Sequence, residues 1–209
     1  MMKKTELILI RHGETPWNAE ERIQGQTDVP MHDGGRREAA LTGKRLADVR
    51  FAAVYASDLG RTQETAEIIL RAQSIHPIPE VSTTPLLREV SYGIFEGLTW
   101  SEIRTRDPRM NDRQLVRSMD FAPEQGESFR QVLARTGEFA STRLQGHLDD
   151  DLLIVGHGGS LRALTIKLLG LHEDDFWKLR GLNPASISIL SQDGHDPALT
   201  SWNDVGHLT

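Results

Sequence analysis

The sequence predicts an α/β fold, a three-layer α/β/α sandwich around a largely parallel sheet, and three observations carry that expectation. Two unbroken apolar runs, Leu7-Ile8-Leu9-Ile10 and Leu152-Leu153-Ile154-Val155, are each short enough for a strand and too uniformly apolar for a sheet with one wet face. Each run ends at a glycine-containing turn, Arg11-His12-Gly13 and Gly156-His157-Gly158-Gly159. Between them, strand-like and helix-like patterns alternate, which is the signature of a parallel sheet with helices on both faces.

The elements follow in order. Strands are expected at 6–10, 53–56, 78–82, 152–155 and 186–191, with a weaker one at 199–202. Helices are expected at 36–49 and at 61–73, where Ala66, Ile69 and Leu70 share one face. Two more are expected at 128–144 and from about Ser160 to 169, the last with Leu161, Leu164 and Leu168 at helical spacing. The stretch 99–123 differs: it is polar, arginine-rich and broken by Pro108. It reads as a small helical excursion over the sheet edge, expected to act as a lid or specificity element within a single domain spanning 1–209.

The bulk properties narrow the function. A chain of 209 residues with net charge −6 is a poor nucleic-acid binder, because phosphate backbones select basic surfaces. Cysteine is absent, which removes disulfides, thiolate nucleophiles and Cys-based metal sites. The N-terminal apolar run is too short for a signal-peptide core or a membrane span, so the expected location is the cytoplasm. A homodimer is compatible with the sequence, which carries no mark of its assembly state.

The chemistry concentrates at strand ends. Open α/β sheets bind ligands beyond the carboxyl ends of their strands, and here two such ends each present a histidine, His12 and His157. The glycines around them, Gly158 included, permit close backbone approach, and a helix N-terminus offers unpaired N–H groups to an anion. Arg11 precedes the first histidine, and Arg61 opens the helix after the 53–56 strand. Two guanidiniums converging on that edge could hold phosphoryl oxygens in a planar fork. Glu89 and Glu96 are both candidates for a general acid, set among apolar and aromatic residues expected to desolvate them. The residues themselves leave that pair open.

The segments RHGETPWN, SDLGRTQETA, LLREVSYGIFEG and VGHGG, in this order, resemble the histidine phosphatase superfamily in its phosphoglycerate mutase-like branch. The resemblance covers residues 7 to about 188. It implies that His12 is the nucleophile that becomes phosphohistidine, with His157 stabilising the transferring group. Arg11 and Arg61 become the phosphate clamp, and Glu89 takes the proton-donor role over Glu96. Asn18, Gln24 and Gly25 match positions lining the phosphate pocket, with Gly158 beside them. Ser57, Thr65 and the Gly126–Ser128 stretch also fit, and are read first as structural.

No cofactor or metal is implied, and His32, His76, His147, His172, His195 and His207 show no ligand spacing. The implied activity is hydrolysis of a small phosphorylated metabolite. A subgroup with aspartate directly after the second histidine is disfavoured, because Gly158 stands there. Mutases of the family resemble longer chains with a basic residue after the acid, where this chain has Val90. Mutase-type phosphoryl transfer is therefore the alternative, and a silent phospho-ligand binder a more distant one. A serine hydrolase would need serine where His157 stands.

Overall fold

The computed structural model describes residues 5–144, 147, 151–192 and 197–209. At its centre lies a six-stranded sheet: β1 (Thr5–Arg11), β2 (Phe51–Ser57), β3 (Val81–Thr84), β4 (Asp151–Gly156), β5 (Ile187–Gln192) and β6 (Ala198–Asp204). The spatial order is β3-β2-β4-β1-β5-β6. The pairs joining β3, β2, β4 and β1 are parallel, whereas β5 and β6 add an antiparallel margin.

The apolar runs are buried on both sides, as their composition requires. Ile8 and Ile10 of β1 face the same layer as Val54, Leu153 and Val155, and meet Ala66, Ile69 and Leu70 of α3 (Gly60–Arg71). The preceding α2 (Asp33–Arg45) packs beside α3 and contributes Leu46 just past its end. Leu9 and Ile154 point the other way, against Phe139 of α6 (Phe129–Arg143) and Leu161 and Leu164 of α7 (Gly158–Leu168). Two-residue alternation thus hides inside an uninterrupted apolar run.

This arrangement fixes where a ligand can go. The helices that follow β1 lie on one face, the helix that follows β4 lies on the other, and β1 and β4 are neighbours. A crevice opens between such strands at their carboxyl ends.

The 99–123 stretch forms α4 (Trp100–Arg106), a 3₁₀ turn at Pro108–Asn111 and α5 (Arg113–Val116). Ile103 and Met110 join Phe95 in a small core of their own, with Ile23, Tyr92 and Phe121 packed against it. A further short helix, α1 (Pro16–Ala19), is capped by Thr15 and was not anticipated.

Several boundaries differ from expectation, and the helix expected at 36–49 ends already at Arg45. The strand expected at 78–82 runs instead over Val81–Thr84, because Pro77 and Pro79 cannot donate to a ladder. Ile78 is still partly buried against the core, which explains its apolar appearance. Helix α2 starts at Asp33 rather than 36, since the His32 ring accepts from the Gly35 N–H as an unusual cap. His195 lies outside the described residues.

Phe139 is fully buried and meets Tyr55 edge-on, with ring centroids 5.4 Å apart. Phe139→Ala should cost about 3–5 kcal/mol, read as a lowered urea midpoint with unchanged slope.

Candidate active site

The in-register pairing of β1 with β4 sets Arg11 opposite Gly156, and the His12 N–H donates to the Gly156 carbonyl at 3.0 Å. The two histidines therefore leave adjacent strands at the same level. Their rings meet edge-on, 5.1 Å between centroids, and both are buried.

His12 Nδ1 lies 2.8 Å from the Gly13 carbonyl oxygen. A carbonyl only accepts, so Nδ1 carries the proton and Nε2 keeps its lone pair. Burial, together with the Arg61 and Arg11 charges, pushes His12 well below the ordinary histidine range. His157 is displaced the same way, by burial first and then by Arg61, His12 and Arg11. Neither nitrogen of His157 has a hydrogen-bond partner.

The arginines are held by carbonyls. Arg61 donates through Nη1 to the Thr27 carbonyl and through Nη2 to the Gly25 carbonyl, both at 2.8 Å, with Asp28 at 3.5 Å. Arg11 donates to the Leu182 carbonyl. In both residues the buried Nε is left without a partner. Buried polar groups are normally paired, and this cluster of orphaned donors is complementary to an anion. Burial lowers both guanidinium pKa values from the ordinary arginine value.

The two carboxylates differ in their surroundings. Glu96 accepts from the Gln26, Thr27 and Tyr92 N–H groups and from the Thr27 hydroxyl, at 2.6–3.0 Å. Its lone pairs are spent on the 25–27 loop, whose Gly25, at φ +54°, has no room for a Cβ beside the Glu96 carboxylate. Glu89 instead faces the cleft. Its Oε1 accepts from Val90, Gly159 and Ser160 N–H groups at 2.9–3.2 Å, while Oε2 shares only the Gly159 N–H at 3.1 Å.

This corrects two expectations. The Glu89 carboxylate is surrounded by backbone donors rather than by apolar groups. The N–H groups of Gly159 and Ser160 at the start of α7 are committed to it and are not free for a ligand.

Arg11, His12, Asn18, Gln24, Gly25, Arg61 and Glu89 line one cleft of about 170 Å³. Gly158 sits at its inner edge, where a Cβ would lie 3.8 Å from Glu89 Oε2 and 4.0 Å from Arg11 Nε. Asn18 accepts from the Thr15 N–H and hydroxyl through Oδ1. Gln24 is buried with an unpartnered Oε1. The sequence reading missed Arg22, Ile23, Tyr92 and Trp100 in the same cleft. It also missed Arg135 and Gln26, which donate to the Glu89 carbonyl at 3.0 and 3.1 Å. Tyr92 stood in a quoted motif, three residues past Glu89; the others gave no local signal. Thr65 is structural, accepting from the Gly13 N–H at 3.1 Å and donating to the Arg61 carbonyl.

A parallel-sheet crevice holding two buried neutral imidazoles, one buried and one half-buried arginine and one carboxylate is the equipment of a phosphoryl-transfer protein. The model of the histidine phosphatase superfamily (branch 1) matches residues 7–205, and the chain belongs to that family. It is 34% identical to a metal-independent phosphoserine phosphatase of Arabidopsis thaliana over 207 residues, covering 98% of this chain and 84% of the relative. It is 36% identical to a 2,3-bisphosphoglycerate-dependent phosphoglycerate mutase of Bartonella henselae, covering 83% and 85%. The solved structure of Bacillus stearothermophilus YhfR superposes with a TM-score of 0.85 at 36% identity, covering 98% of this chain and all of that one.

The depressed histidines have a thermodynamic consequence. Below about pH 6.5 the unfolded chain binds protons at His12 and His157 that the native protein refuses, so stability falls as pH drops through that value. Each histidine contributes at most about 1.4 kcal/mol per pH unit. Urea unfolding between pH 7.5 and 5.5 should show this slope reduced in the double variant His12→Asn/His157→Asn; equal slopes would contradict the assignment.

Proposed function

We propose that the chain is a metal-independent phosphatase hydrolysing small phosphate monoesters through a phosphohistidine on His12. The observation that carries this reading is the cage of unpartnered buried nitrogens on Arg11, Arg61 and His157 around the His12 ring. Such a cage suits a tetrahedral oxyanion and little else.

In the first transfer the Nε2 lone pair of His12 attacks phosphorus in line, and the bond to the leaving oxygen breaks. Glu89, in its protonated form, gives its proton to that oxygen from Oε2. Arg11, Arg61 and His157 donate to the equatorial oxygens, where charge spreads in the transition state. In the second transfer the Glu89 carboxylate takes a proton from water as its oxygen attacks phosphorus. The P–N bond breaks, and His12 regains its neutral Nε2. Asn18, Gln24, Gly25 and Gly158 shape the phosphate end of the cleft.

The mutase reading is supported by the similarity to the Bartonella henselae protein, and substrate handling separates the two. A mutase would interconvert 3-phosphoglycerate and its 2-isomer with little phosphate release when primed with a bisphosphoglycerate. The phosphatase should hydrolyse its best monoester faster than it isomerises. Binding of phosphate ligands without turnover would mark a silent binder.

Rapid mixing with substrate should trap an acid-labile, base-stable phosphoenzyme, with the label on His12 and none in His12→Ala. Label on another residue would overturn the mechanism. Arg61→Lys keeps the charge but loses the fork, and should lower the rate by about a hundredfold, the size of one lost transition-state donor. Wild-type rates in that variant would remove Arg61 from the clamp.

Glu89→Gln should lose about 10²–10⁴-fold on an alkyl phosphate and far less on p-nitrophenyl phosphate, whose leaving group needs little help. The comparison is made under conditions limited by the first transfer. Glu96→Gln should show no dependence on the leaving group. An exchange of these behaviours would make Glu96 the acid.

A further inference from the structure

The main chain that carries Glu89 is held by side chains rather than by a ladder. Among the described residues no backbone N–H reaches the Glu89 carbonyl, which accepts instead from Arg135 Nη2 at 3.0 Å and Gln26 Nε2 at 3.1 Å. Arg135 Nη1 donates to the Leu86 carbonyl at 2.8 Å, in the 3₁₀ turn Pro85–Leu87 that leads into the acid. The same guanidinium pairs with Glu127 at two points, Nη2 to Oε1 at 2.5 Å and Nε to Oε2 at 3.4 Å. Glu127 in turn holds the chain two residues past the acid. Its Oε1 accepts from the Ser91 N–H at 3.3 Å, and its own N–H donates to the Ser91 carbonyl at 2.9 Å.

The backbone on both sides of Glu89 thus answers to one ion pair. The Arg135 and Glu127 side chains are 15% and 17% exposed, so the pair is not dispersed in water as a surface pair is. At the other end of the residue, the Glu89 carboxylate takes the Gly159 and Ser160 N–H groups of α7. Little slack is left there: a Cβ at Gly159 would lie 2.4 Å from Glu89 Oε1 and 2.7 Å from Val90 Cγ2. Helix α6, which bears Arg135, packs against both α7 and the 85–87 turn, and so sets one end of Glu89 relative to the other.

We infer that Arg135, locked by Glu127, is a positioning residue for proton transfer, fixing the main chain of Glu89 so that Oε2 meets the leaving oxygen. The inference rests on the phosphatase reading, in which Glu89 is the acid. Lysine would keep the charge but not serve two carbonyls and a carboxylate from one plane. Read as single-turnover release of the alcohol, which isolates the first transfer, Arg135→Lys should lose about ten- to a hundredfold on an alkyl phosphate. The loss on p-nitrophenyl phosphate should be much smaller, and competitive inhibition by inorganic phosphate should be unchanged.

The Glu89→Gln background separates positioning from general support. With the acid removed, Arg135→Lys should no longer alter the ratio of alkyl to p-nitrophenyl rates, because the two residues act through one step. Glu127→Gln keeps an acceptor for the Ser91 N–H but loses the charge that orients Arg135. It should repeat the Arg135→Lys pattern at smaller size, and it carries the test if Arg135→Lys misfolds. Equal losses on the two esters, wild-type behaviour in both variants, or the same change of ratio with and without Glu89 would overturn the inference. Turnover of p-nitrophenyl phosphate by the wild type would then leave the phosphatase reading standing. A wild type that releases phosphate from neither ester would overturn both.

Discussion

Everything at the site depends on the register of β1 against β4. Arg11 stands opposite Gly156, and the ladder continues one step further through the His12 N–H. A slip of one residue would turn Leu9 and Ile10 to each other's layers, and would carry His12 off the level of His157. That register is enforced by burial on both faces, because each layer accepts only its own set of side chains. The strand can therefore end in two polar groups without losing its place. The hydrophobic core does more than stabilise the sheet: it is the alignment device for the imidazoles.

The second constraint is electrostatic. Arg61 and two histidines are buried beside the half-buried Arg11 with little direct neutralisation, and carbonyl oxygens of Gly25, Thr27 and Leu182 do most of the holding. Carbonyl dipoles fix a guanidinium in space without cancelling its charge, so the cation stays available to an incoming anion. Glu96 belongs to this scheme at one remove. By gripping the N–H groups of Gln26 and Thr27, it orients the loop whose carbonyls grip Arg61. Unpaired buried donors cost stability, and under the proposed function a bound phosphoryl group would offset that cost.

Much of this was legible in the sequence. The apolar runs of β1 and β4 declare a buried parallel strand, and their abrupt polar ends declare the site, because both signals are local. The three-layer fold, Arg11, His12, Arg61 and His157 come from such signals. The edge strand β3 was misplaced because apolar character marks burial, whereas Pro77 and Pro79 decide where pairing begins. Glu89 and Glu96 look alike within a single ten-residue stretch. What separates them is the arrival of the α7 N-terminus beside Glu89 and of the 25–27 loop beside Glu96, contacts some 70 residues apart in the chain. Arg135 was silent for the same reason: it lies on a helix face, and its contact with the Glu89 carbonyl exists only in three dimensions.

The two ends of the site are built from different materials. The inner end, around His12 and His157, rests on strand termini and backbone hydrogen bonds, which tolerate little displacement. The outer end is walled by side chains of short helices and turns with their own small core around Phe95, Ile103 and Met110. Substitutions there change shape without disturbing the sheet, as expected where loops on a rigid scaffold set selectivity. Yet the two ends are joined. The Ile23 N–H donates to the Leu98 carbonyl, its own carbonyl receives the Gly97 N–H, and its side chain packs on the excursion core. Gln24 and Gly25 follow directly, so the residue that anchors the excursion also begins the loop that holds Arg61. Under the proposed function, a substrate reaching the excursion would bear on the loop that holds Arg61, and binding energy gained far from phosphorus would then help to align it.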